Sequence, residues 1–288
     1  MLTALFFLNF ILMITLPLAA GSWLAQRYRL GWGVFGIGAA TFVLSQVGHL
    51  PFNWLILQRL RLLPGDLSQW GDLLIYGLFL GLSAGVFEEV ARYLVYRFWA
   101  KDARSWREGM MMGAGHGGME ALLIGLIGLL NFSVMLGMSR GMLLNAVPPE
   151  MMASVEAQIE QVFTTPLWLV PLGFIERIFA MLFHLAASLL VLQVFVRGQK
   201  RWLLAAVLLH TVFNATAVVV LVRTNAIVTE GALALLTIIS VAIIVWLRRV
   251  EPVPEPAPAP APVPTWDVEQ IKPTQGSLDD SRFTGGDT

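Results

Sequence analysis

The pattern of apolar and polar positions divides this chain into long apolar runs separated by short clusters of charge. Seven runs can be drawn, at roughly 3–26, 32–56, 70–98, 106–138, 166–197, 201–223 and 225–247. At about 1.5 Å per helical residue, each is long enough to cross a hydrocarbon core of about 30 Å. The pattern predicts an all-α, polytopic membrane bundle of about seven transmembrane helices. The first run has no basic stretch before it, and Arg27 and Arg29 follow it, so it reads as a retained helix rather than a cleaved signal. A tight turn is expected near Thr224 and Asn225. The interval 139–165 is broken by Pro148–Pro149 and has room for a short surface helix. From Pro252 to Pro264 every second residue is proline, the pattern of a polyproline II spacer. The expected organisation is therefore a membrane domain over 1–250 followed by a Pro/Ala-rich, disordered cytoplasmic tail over 251–288.

Composition supports this reading. The chain has 288 residues, 57% apolar and 13% charged, where a soluble domain carries about a quarter charged residues. Its zero formal charge is a sum of two parts. The tail from Glu251 holds seven acids and two bases, leaving the preceding 250 residues at +5. With the N-terminus outside, the inner loops hold eleven Lys and Arg and the outer loops four, which predicts an N-outside, C-inside protein of the cell membrane. The basic run over 97–107 reads as a topology determinant. No basic patch marks a nucleic-acid surface. The absence of cysteine excludes disulfides and thiolate chemistry.

Against this background, ionisable residues inside the runs are conspicuous, because each costs a few kcal/mol to insert, about 2.5–3.5 on insertion scales. The third run carries Glu88, Glu89 and Arg92, and the fourth His116 and Glu120. The fifth carries Glu176, Arg177 and His184, and the sixth His210 and Asn214. Counted from the inner end of each helix, Glu88, His116, Glu120, His184, His210 and Asn214 all fall about 15–21 Å deep. Glu88 with Arg92, His116 with Glu120, and His210 with Asn214 are four apart and share a helix face. Glycine seams at 77/81/85 and 109/113/117 are expected to bring the third and fourth helices together, carrying Glu88 and Glu89 towards His116 and Glu120. Glu176–Arg177 reads as a structural ion pair and His49 as an interfacial histidine.

Carboxylates, histidines from three helices and an amide at one depth form a set that can activate water. Glu88 suits a general base, Arg92 a group that holds a carboxylate in place, and His210 with Asn214 donors to an oxyanion. Alternatively His184, His210 and His116 or Glu120 bind zinc, with Glu88 as base. The cofactor is thus zinc in a metallo mechanism and none in a glutamic one. The chain has no HExxH and no Gly-x-Ser-Gly.

Glu88-Glu89-x-x-Arg92, GHGGME over 115–120, a histidine within a run and HxxxN over 210–214 together resemble the YhfC family of intramembrane metalloproteases. The chain is similar, more distantly, to PrsW proteases and to the CAAX-processing and bacteriocin-processing membrane proteases. The resemblance spans roughly residues 30–250. In the CAAX-processing group the first motif is one residue longer and the second is FxxxH, which Phe179 and His184 miss by one residue. The resemblance implies hydrolysis of a peptide bond in or near the membrane, with Glu88 and Glu89, Arg92, His116, Glu120, His184, His210 and Asn214 as site residues. The implied partners are the bilayer and a membrane protein or a lipidated or other peptide substrate. Two other classes use similar parts: a proton- or ion-coupled transporter, and a haem or metal scaffold, which leaves Glu88 and Glu89 unexplained.

Overall fold

The computed structural model describes residues 1–142 and 147–250, and the segment expected to be a tail, 251–288, lies outside the described residues. Among the described residues all regular structure is helical, and seven helices are long and apolar enough to cross a membrane. They are α1 (Leu2–Tyr28), α2 (Gly33–Trp54), α3 (Trp70–Phe98), α4 (Trp106–Ser139), α6 (Leu172–Val196), α7 (Arg201–Arg223) and α8 (Ala226–Arg249). Between α4 and α6 lies the short α5 (Met152–Phe163), in the interval where a surface helix was expected.

Local chemistry sets several helix ends. Ser105 caps α4 by accepting from Glu108 N, while the Glu108 carboxylate accepts from Ser105 N, a reciprocal capping box. The turn expected at Thr224–Asn225 is closed by the Asn225 side chain, which accepts from Ile227 N and Val228 N at the start of α8. Near the end of α2, Pro51 is followed by a wider π-helical turn over Leu55–Arg59.

The central element is α6, which packs against α1, α3, α4, α7 and α8. The outer faces are apolar and exposed, as with Leu8 and Ile11 on α1, Leu78 and Leu82 on α3, and Leu235 and Ile238 on α8. So much exposed hydrocarbon suits lipid rather than water. Beneath the polar centre, Phe183 stacks on Phe213 with ring centroids 4.6 Å apart, and its edges meet His184 at 4.8 Å and His210 at 4.9 Å. This one ring fixes the attitude of two imidazoles.

The glycine seams do not join α3 to α4. Gly77, Gly81 and Gly85 face Val219, Thr211 and Val207 of α7, and a Cβ at Gly85 would lie 2.9 Å from the Val207 carbonyl oxygen. Gly109, Gly113 and Gly117 face Leu189, Leu185 and His184 of α6. Spacing shows that a small-residue face exists, but the face itself does not name its partner. The other side of α4 is taken by α2, where Gly38 and Gly115 let the two backbones touch.

Candidate active site

The close approach of α3 to α7 brings the paired acids of α3 to a histidine. Glu89 and Arg92, one turn apart and both buried, form an ion pair. The other carboxylate oxygen of Glu89 lies 2.8 Å from His210 Nδ1. An ionised carboxylate only accepts, so His210 donates through Nδ1–H and leaves Nε2 facing Glu88, 3.9 Å from its Oε2. Arg92 thus holds one carboxylate of the Glu88–Glu89 pair, that of Glu89. Glu89 and Arg92 are three apart on α3, a spacing that also shares a helix face.

A second chain of the same composition runs between α6 and α4. Arg177 donates to Glu120 Oε1 at 2.7 Å and also pairs with Glu176, and Glu120 Oε2 lies 2.6 Å from His184 Nε2. Arg177 is thus part of the polar centre as well as an ion-pair partner of Glu176. Sequence spacing could not show this, because Glu120 lies on another helix. The two chains meet where Arg92 Nη2 stands 3.4 Å from His184 Nδ1.

Glu88 sits between these chains. Its Oε2 is 3.0 Å from His116 Nε2, and its Oε1 accepts from Gln46 Nε2 at 3.2 Å. Gln46 Oε1 in turn lies 3.2 Å from His49 Nδ1, and Asn53 Nδ2 and Ser83 Oγ lie 2.9 and 3.2 Å from His49 Nε2. His49 is thus the middle of a polar chain ending on Glu88. Gln46 escaped the sequence reading, although an amide inside an apolar run was the available signal.

A small cavity of about 70 Å³ opens onto this centre, lined by Glu88, Glu120, Arg177, His184, His210 and Asn214 among others. The half-buried Asn214 makes no side-chain hydrogen bond among the described residues. Every residue put forward from the sequence is thus in or beside one connected cluster.

One carboxylate and two imidazoles, from Glu88, His116 and His184, each bring a ligand atom within 4.8 Å of the others. Two histidines and a glutamate are a donor set that zinc takes. Two further features fit a metal. His116 Nδ1 is buried without a partner, and Glu120 holds the far nitrogen of His184, as carboxylates commonly do for ligating histidines. This trio shares His116 and His184 with the zinc set read from the sequence. Glu88 stands where that reading had His210, which is turned towards Glu89, and Glu120 is occupied by Arg177 and His184.

The family described as YhfC intramembrane metalloprotease matches residues 12–235. A relative from Bacillus subtilis (strain 168), described as uncharacterized membrane protein YhfC, is 33% identical over 245 residues, covering 82% of this chain and 92% of the relative. No solved structure matches.

Proposed function

The chain belongs to the YhfC intramembrane metalloprotease family, and from that membership we propose that it is an intramembrane endopeptidase cleaving a peptide bond of a membrane-associated protein or peptide. The observation that carries this reading is the convergence of Glu88, His116, His184 and His210 beside one cavity within a bundle of membrane-length helices.

Glu88, His116 and His184 would hold a divalent metal, zinc by donor type. Such an ion, when bound, polarises a carbonyl and lowers the pKa of water. The protein's own groups supply the rest. Glu89 anchors His210 through Nδ1, so Nε2 is presented to take a proton from the attacking water and return it to the leaving amine. Asn214, one turn beyond His210 on the cavity wall, donates its amide to the oxyanion of the tetrahedral intermediate. Arg92 and Arg177 are positioning residues that keep the two carboxylates, and through them the two imidazoles, in fixed attitudes.

A glutamic reading is favoured by two observations. Glu88 Oε2 already has a partner in His116, and the Arg92 cation stands beside His184. In that reading Glu88 itself takes the proton from water. Metal analysis of the purified full chain, together with cleavage of a reconstituted transmembrane peptide library, separates the two. Stoichiometric zinc that is lost in His116→Ala and His184→Ala supports the metallo mechanism. A metal-free active enzyme supports the glutamic one. In either case Glu88→Gln and His210→Ala should lower turnover at least about 10²-fold without loss of fold. Full activity in both variants would sink the assignment.

A further inference from the structure

Next to the small cavity lies a larger one, about 330 Å³, between α6, α7 and α8. The two share Glu176, Ala217 and Leu233 in their walls, so the larger chamber adjoins the polar centre. It is bounded mainly by hydrocarbon, including Leu172, Val218 and Leu221, yet Glu230 of α8 projects into the same wall. One carboxylate oxygen of Glu230 is buried with no hydrogen-bond partner. Such an oxygen is costly when left unsatisfied. The charge around it is also uneven. Four glutamates line the two cavities, against a single arginine and no lysine among the described residues, and that arginine, Arg177, is already shared by Glu120 and Glu176.

We propose that this chamber is a substrate subsite for a Lys or Arg residue set among apolar neighbours, its aliphatic stem lying on the α7 and α8 hydrocarbon and its cationic head on Glu230. The inference rests on the peptidase reading and adds the substrate class to it. A long apolar stem with a charged tip matches a wall that is hydrocarbon with one unpaired acid. Position is consistent as well. Along α7, Ala217 and Leu221 lie about 10 and 17 Å beyond His210, a span of about three to five extended peptide residues. Glu230 thus selects a basic residue a few positions from the bond that is cut, while the catalytic groups remain indifferent to it.

The test uses full-length protein in proteoliposomes and a fluorescent, N-acetylated apolar peptide series carrying Lys, norleucine or Glu at successive positions on both sides of the expected cleavage point. The Lys peptides should be cleaved with about tenfold higher kcat/KM than their norleucine counterparts. Glu230→Gln should abolish that preference while leaving norleucine peptides nearly unaffected, and Glu230→Lys should favour the Glu peptides. Binding of the same peptides to a Glu88→Gln protein, followed by fluorescence anisotropy, should show the same preference, again lost with Glu230→Gln. A Glu230-dependent binding preference without cleavage leaves the subsite standing and overturns the peptidase reading. Cleavage with no such preference does the reverse. If a norleucine peptide with a free N-terminus matches the Lys peptide, the cation is a chain end and the basic-side-chain assignment fails. Absence of any Lys preference in the folded protein overturns the subsite.

Discussion

The two Arg–Glu–His chains have the same composition and different surroundings. In Arg92–Glu89–His210 both charged side chains are 0% exposed, whereas in Arg177–Glu120–His184 they are 9% and 21% exposed and line the cavity. Each arginine fixes a carboxylate and each carboxylate fixes an imidazole. The enclosed Arg92–Glu89 pair is out of reach of water, so its charges must match within the protein. The open chain can share its arginine with Glu176 and can be reached by water or substrate. The contrast is one of access: both chains end on an imidazole that lines the cavity, but only the second also brings its arginine and carboxylate there.

The largest expected effect tests the enclosed chain. Arg92→Met strands the Glu89 carboxylate and should cost about 3–5 kcal/mol, read as a lowered unfolding midpoint in detergent. Adding Glu89→Leu should restore most of that stability without restoring activity, because His210 loses its anchor. If Arg92→Met is as stable as the native protein, the distinction between the enclosed and the open chain collapses. Next, zinc at about a hundred times its dissociation constant should stabilise the purified protein by about 2.7 kcal/mol. That gain should vanish in His184→Ala and persist in His210→Ala, and equal loss in both would erase the difference between the chains. Arg177→Met should destabilise by less, about 2 kcal/mol, since water can reach the freed Glu120. Its turnover should nevertheless fall well below that of a mutant equally destabilised elsewhere. The smallest effect lies in the arm that touches neither chain. Gln46→Leu, which removes one hydrogen bond to Glu88, should cost about 1 kcal/mol of transition-state stabilisation, with kcat reduced and KM unchanged. A change in KM alone would make Gln46 part of the substrate path instead.

Much of this arrangement could be read from the chain before any folding was considered. Glu88, His116, His184 and His210 stood out because each interrupts an apolar run, and counting residues along each helix placed them at one depth. What could not be read was lateral. Glu89 meets His210 because α3 lies on α7, and the glycines of α3 permitted close approach without naming a partner. Arg177 joined the centre because α6 crosses α4 beside Glu120. The link from His49 to Glu88 passes through Gln46 and depends on α2 meeting α3. Glu230 drew no notice in the sequence and acquires meaning only from the cavity beside it.

The sequence by itself therefore determined that the chain forms membrane-length helices, where most of them begin and end, and how far along its helix each polar group sits. These are properties of one helix at a time, set by apolar run length, capping and a constant rise per residue. Only the tertiary structure decided which acid meets which base, which histidines can share a metal, and where a substrate has room. Those depend on helix rotation and on the choice of neighbour, which packing between distant segments selects and no single segment encodes.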